Sequence, residues 1–316
     1  MNTGKAGRRW RLYLRYNSKL IKDVMTMHFL DIEEWKPEQI QEIFNLADRL
    51  CQNREQPLLL GKTFILFFPE SSLRTRVSFE KGIRDLRGEY ICISPEALNK
   101  REQLADVISY MANWADAAVV RHPNLHKLRE LSRGASIPVI NAMTSENHPC
   151  EIMSDLYAIS RRRPDYKDLV YTFVGPAGNI SRTWMSMARM MNLNFHHVCT
   201  EGNSLGPETA NYMFHTRLEE ILPQSDILLT DSLPEEYRTA EYIGKYQLDL
   251  QRLQMARPGA LLNPCPPFFR GEEVAADAIS SDYFVGYEFK KCLLFVQQAI
   301  MLYCLFHSER AVVLEK

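Results

Sequence analysis

Short apolar runs, each followed by a polar turn and an amphipathic stretch, recur along this chain, and that alternation leaves few folds open. Thr63-Phe64-Ile65-Leu66-Phe67-Phe68 is apolar almost throughout, as a strand buried on both faces must be. Tyr90–Ile93, Ala117–Val120 and Pro138–Asn141 read as further strands. Between them, apolar residues fall three and four apart. A helix opened by Trp35-Lys36-Pro37-Glu38 runs to about Cys51 with Ile40, Ile43, Leu46 and Leu50 on one face. Helices are also predicted from the Ser72 turn to about Leu86, over Glu102–Trp114 and over Leu125–Ser132. Buried strands alternating with helices require parallel sheets joined by right-handed crossovers.

A long helix from about Cys150 to Arg163 ends in Arg161-Arg162-Arg163-Pro164-Asp165, and the pattern then restarts. Leu169–Val174 is a strand, Gly175-Pro176-Ala177-Gly178-Asn179 a loop, and a helix follows from about Ser181. Further strands are expected near Phe195–Cys199, Asp226–Thr230, Ala260–Asn263 and Tyr283–Tyr287, with a last helix over Lys290–Phe306. The chain of 316 residues exceeds one typical domain. The expected fold is therefore α/β: two doubly wound parallel-sheet domains joined by helices. Their limits fall at 27–163 and 164–288, with 289–316 a C-terminal helix packing back on the first domain.

Residues 1–26 belong to neither domain. Lys5, Arg8, Arg9, Arg11, Arg15, Lys19 and Lys22 are opposed there by Asp23 alone. A transit peptide would be Arg-rich and acid-poor in this way, but it would carry more Ser and small residues, so a basic N-terminal extension is the reading adopted. Over the whole chain charge is balanced: 38 Lys and Arg against 39 Asp and Glu give a net charge of −1. No bulk attraction to nucleic acid or an anionic membrane follows, so an anion site must be local. Seven cysteines without a CxxC or CxxH pair read as reduced thiols in a cytoplasmic compartment. The apolar run Cys292–Phe306 carries two Gln and falls short of the roughly 18 to 20 residues that span a bilayer.

Ligands of open α/β sheets sit beyond the carboxyl ends of the strands. After the first strand comes Ser72-Leu73-Arg74-Thr75-Arg76 at a helix start. Free amides, two hydroxyls and a guanidinium in one turn suit phosphate oxygens. A capping serine with solvated arginines fits the same residues. Arg121-His122-Pro123 follows the third strand and Asn147-His148-Pro149-Cys150-Glu151 the fourth. A lone His at such a turn is more often structural, but two arginines and a histidine on three strand ends could converge on a small anion with a carbonyl. The Gly175–Asn179 loop fails G-x-G-x-x-G, and Pro176 removes an amide donor. Walker A, HExxH, GxSxG and metal-ligand spacings are absent, so neither cofactor nor metal is expected.

Ordered along the chain from about Met27, these segments resemble the aspartate/ornithine carbamoyltransferase family. Ser72-Leu73-Arg74-Thr75-Arg76 is similar to its S-x-R-T-R signature, and Lys100-Arg101-Glu102-Gln103-Leu104-Ala105-Asp106 to its mobile-loop segment. His148-Pro149-Cys150-Glu151 with Asp155-Leu156 resembles H-P-x-Q…D-L. Leu262-Asn263-Pro264-Cys265-Pro266 followed by Arg270-Gly271-Glu272-Glu273-Val274 resembles H-C-L-P…R-G-x-E-V. The resemblance implies transfer of a carbamoyl group from carbamoyl phosphate to a small amine with release of phosphate, in a homotrimer with sites at subunit interfaces. Ser72, Arg74 and Thr75 would hold the phosphate, with the Leu73 amide a further donor and Lys100 reaching a neighbouring subunit's site. Arg121 would bridge phosphate and carbonyl oxygens, and His148 would donate to the carbonyl oxygen. Arg74, Arg121 and His148 are thereby the expected catalytic residues.

This chain departs from the family's pattern at three places. Glu151 stands where Gln is usual, making an acceptor-only group of an amide that donates or accepts. Leu73 replaces a usual Thr, and Asn263-Pro264-Cys265-Pro266 matches neither H-C-L-P nor H-P-L-P. For the acceptor, Asp231 stands where the aspartate-specific branch places an arginine; an aspartate suits an ammonium group and favours an ornithine-like substrate. Asn179 and Arg182, with Cys265 and Pro266, complete the expected acceptor site. An aspartate carbamoyltransferase, and a catalytically silent paralogue binding an anion or a partner subunit, are the alternatives.

Overall fold

The computed structural model describes residues 26–53 and 56–314, with side chains as far as Phe306. The basic extension expected over 1–26 lies outside them save for its last residue. An all-parallel sheet of four strands forms the first half, in the order β2-β1-β3-β4: β1 Thr63–Phe67, β2 Glu89–Ile93, β3 Ala117–Arg121 and β4 Val139–Met143. Its covering helices are α1 Pro37–Gln52, α2 Leu73–Asp85, α3 Leu104–Met111 and α4 Leu125–Ser132. Phe29 adds a bridge to Ile140, extending the sheet by one partial rung. Helix α5, Pro149–Arg162, is buried along almost its whole length and leads into the second half.

That half is a parallel sheet of five strands, ordered β7-β6-β5-β8-β9: β5 Val170–Val174, β6 Asn194–Val198, β7 Tyr212–His215, β8 Ile227–Thr230 and β9 Leu261–Pro264. Helix α6, Asn179–Met191, follows β5, and α7 is Ala240–Tyr246. The last helix, α8 Cys292–Leu314, returns to pack against α1, α2 and α5 of the first half. Two parallel-sheet α/β domains joined by α5 and α8 are thus present.

Three elements differ from expectation. Helix α6 begins at Asn179 rather than near Ser181, because Gly178 is extended and its amide donates to Ser181 Oγ at 2.8 Å, which starts the helix two residues early. Strand β7 is half exposed at the sheet edge and carries no buried run to announce it. Tyr283–Tyr287 is no strand: Phe284 makes one bridge to Leu262, and the chain then enters a helical turn, Gly286–Phe289. The apolar run that reads as too short for a membrane lies in a segment, Gly286–Phe306, long and apolar enough to span one, but two thirds of it is buried inside the protein. Core packing accounts for that composition.

Candidate active site

Each sheet reverses its winding direction at one point. In the first, β1 is followed by β2 on one side and β3 on the other; in the second, β5 is flanked by β6 and β8. Loops leaving such neighbours diverge and open a crevice at the carboxyl ends. Both crevices face one cavity of about 940 Å³. Its walls include Leu73, Arg74 and Thr75 after β1, Arg121 at the end of β3, and His148 and Glu151 after β4. From the second sheet come Asn179 after β5, Asp231 and Ser232 after β8, and Cys265 and Pro266 after β9. Hydrogen bonds stitch the halves together here: His148 N donates to Thr183 Oγ1 at 2.9 Å, and Asn179 Nδ2 to the Thr144 carbonyl at 2.9 Å.

On the first side, Arg121 Nη1 donates to Ser72 Oγ at 3.2 Å and Thr75 Oγ1 at 3.5 Å. Ser72 and Thr75 are buried, so the guanidinium is held against the first turn of α2, whose amides lack intrahelical acceptors. The Leu73 amide is engaged outside the helix, donating to the Ser71 carbonyl at 3.0 Å, and the residue is 69% exposed. Burial lowers the Arg121 pKa, and Glu151 opposes that shift. His148 caps α5 and is fully enclosed; burial pushes its imidazole down to about 4, against the pull of Glu151. Its Nδ1 has no hydrogen-bond partner among the described residues. A neutral imidazole beside a guanidinium is suited to polarising a carbonyl without adding charge.

On the second side, Asp231 Oδ1 accepts from the Ser232 amide at 2.9 Å. Burial, with Glu273 and Glu151 adding, pushes its carboxyl up to about 7. Asn179 is the first residue of α6. The Cys265 thiol is buried and pushed up by desolvation, with Asp231 and Glu151 adding, which makes it a neutral wall rather than a nucleophile.

Two expected residues stand apart. Arg182 is exposed on α6 and does not line the cavity. Lys100 is exposed on the loop before α3 and also lies outside it. That loop is tethered at Asn99, which contacts Lys127 and His122 Nε2, the latter at 3.2 Å. His122 is thus a structural residue. Sequence reasoning missed Ser71, Lys81, Ser232, Lys290 and Lys291 in the walls. Lys290 matters most: its ammonium lies 2.6 Å from Glu151 Oε1 and 2.5 Å from Asp155 Oδ1. The i, i+4 pairing of Glu151 with Asp155 on α5 was the available signal for a shared cation.

A cationic pocket on one sheet faces a carboxylate on another across a single cavity, which defines a two-substrate α/β transferase of small molecules. Comparison with known proteins specifies it. The model of the aspartate/ornithine carbamoyltransferase carbamoyl-P binding domain matches residues 27–161, and that of the Asp/Orn binding domain matches 167–304. An ornithine carbamoyltransferase of Syntrophotalea carbinolica is 30% identical over 298 residues, covering 88% of this chain and 98% of its own. One from Geobacter sulfurreducens is 29% identical with the same coverage. The crystal structure of ornithine carbamoyltransferase from Burkholderia thailandensis superimposes with a TM-score of 0.80 at 25% identity, covering 88% of this chain and 98% of that one. The chain belongs to the aspartate/ornithine carbamoyltransferase family and is a carbamoyltransferase.

Proposed function

We propose that this protein transfers the carbamoyl group of carbamoyl phosphate to the amine of an ornithine-like acceptor. The observation that carries this reading is the convergence of both sheets' crevices on one cavity, cationic on the first side and bearing Asp231 on the second. Ser72, Arg74 and Thr75 with the α2 N-terminus hold the phosphate. Arg121 bridges phosphate and carbonyl oxygens, and neutral His148 donates to the carbonyl oxygen. The acceptor's neutral amine attacks the carbonyl carbon; a C–N bond forms, the C–O bond to phosphate breaks, and the leaving phosphate takes the amine's proton. Arg121 and His148 stabilise the oxyanion between those events, an effect worth about 3 to 4 kcal/mol per donor. Alignment of two small molecules supplies much of the remainder.

Asp231 pairs with a second ammonium on the acceptor, while Asn179, Cys265 and Pro266 shape the pocket around it. Arg182 and Lys100 act from outside the lining, Lys100 at a neighbouring subunit's site. A cytoplasmic homotrimer is the assembly we favour. Edge strand β2 exposes Ile91, and Leu73, Val77, Tyr110 and Trp114 add exposed apolar surface on α2 and at the end of α3. We put the domain division at 163/164.

The test is phosphate release and carbamoylated product from carbamoyl phosphate with a panel of amines. Ornithine or a related diamino acid is expected to be turned over. Turnover of L-aspartate alone would overturn the role of Asp231, and no turnover with any amine would overturn the function.

A further inference from the structure

A carboxylate in the wall of a phosphate-binding cavity is an electrostatic liability, because two charges about 4 Å apart repel by several kcal/mol at protein-like dielectric. Glu151 occupies such a place and is buried. The companion charge is equally unusual. Lys290 precedes α8, its side chain is only 17% exposed, and it meets both α5 carboxylates. Its bonds to them differ. Lys290 Nζ donates a hydrogen bond to Asp155 Oδ1, whereas its 2.6 Å approach to Glu151 Oε1 is an ion pair without hydrogen-bond alignment. Asp155 thus anchors the ammonium, and the ammonium presents charge to Glu151.

We infer that Lys290, anchored by Asp155, is a positioning residue for Glu151, keeping that carboxylate ionised to accept from the carbamoyl NH2 while cancelling its repulsion of the phosphate. The inference rests on the carbamoyl-transfer reading for its ligand but not for its electrostatics. Replacing a buried ion cluster by apolar side chains is often neutral or stabilising, so stability alone gives little reason for three charged groups here. Lying against the cavity, they have a use. The groups that face them are His148, Arg74 and Arg121 towards Glu151, Asn263 towards Asp155, and Cys265 and Asp231 towards Lys290. Burial disfavours the charged form of all three members. Lys290 nevertheless holds Glu151 below the usual carboxylate range, and the two carboxylates hold Lys290 protonated.

The test compares wild type with K290M, E151Q and K290M/E151Q, with folding checked by circular dichroism. Calorimetry measures the affinity of each for inorganic phosphate and for carbamoyl phosphate at pH 6 and pH 8. K290M is expected to weaken phosphate by about tenfold or more at pH 8 and by less at pH 6, where orphaned carboxylates take up protons. E151Q in the K290M background is expected to restore most of that loss, which a purely structural role for Lys290 would not allow. K290M binding phosphate within about threefold of wild type at pH 8, or a double variant no better than K290M, overturns the inference. Should K290M not fold, Lys290→Gln, which keeps a donor for Asp155, carries the same expectations. Wild type that binds phosphate yet carbamoylates no amine refutes the functional reading and leaves the Lys290 comparison to be scored on phosphate. Wild type that binds neither phosphate nor carbamoyl phosphate overturns both.

Discussion

His148 is kept neutral by enclosure rather than by a partner, and this has a cost in acid. Its folded pKa of about 4 lies below the unfolded value of 6.5. The unfolded chain therefore binds the proton more readily, and stability is lost as pH falls from 6.5 towards 4. The loss from this residue should reach about 3 kcal/mol. Urea unfolding at pH 7 and pH 4.5 is expected to show a smaller acid loss in H148N than in wild type, while H148N loses about 10² or more in kcat. Asp231 carries the opposite sign. Its carboxyl is raised from 3.8 to about 7, so stability falls as pH rises between those values, and D231N should be the more stable chain at pH 8. Function runs the other way: the acceptor KM of wild type should fall as pH rises through about 7, an inflection absent from D231N. Arg74→Ala should leave the melting temperature unchanged and weaken carbamoyl phosphate binding by about 10². Unchanged affinity would remove Arg74 from the site. Arg74, Arg121 and His148 were legible in the sequence because each sits at a strand end beside a turn. Lys290 was not. A lysine before an apolar helix looks solvated, and its hydrogen-bond partner Asp155 is 135 positions away in the sequence.

At the scale of elements, the strands buried on both faces announced themselves, since an unbroken apolar run has no other use in a chain of this kind. Edge strand β7 did not, because half of it meets water. Aromatic Tyr283–Tyr287 has strand-like composition, yet tertiary packing spends it on a bridge and a turn. There a Cβ on Gly286 would lie 3.0 Å from the Phe284 ring, so a side chain at that point would crowd the turn. Helix contacts carry a comparable constraint. A Cβ on Gly82 of α2 would stand 3.3 Å from Gln298 Cγ and 3.5 Å from Leu294 Cδ1 of α8. Gln298 Nε2 also donates to the Gly82 carbonyl at 2.9 Å. Gly82→Leu should therefore force the two helices apart and cost about 1–3 kcal/mol in urea unfolding; no loss would mean that this contact is slack.

For the whole molecule, the homotrimer proposed above predicts self-association, and Ile91, 51% exposed on edge strand β2, is a place to test it. Wild type should sediment as a trimer and Ile91→Lys as a smaller species with reduced turnover. An active monomeric wild type would contradict the shared-site role of Lys100. The return of α8 to the first sheet reaches further still. Tyr303 Oη donates to Glu42 Oε2 at 2.8 Å across 261 residues of chain, and Trp35 packs on the same tyrosine ring with centroids 5.3 Å apart. The helix that closes the first half is thus made last. During synthesis, α1, the first α-helix among the described residues, meets α5 early through Phe44 and Tyr157, but it must wait for α8 before the rest of its apolar face is covered. Nascent chains of this protein should therefore present part of that face to chaperones until α8 emerges, and the first half should be completed only after the second has been translated.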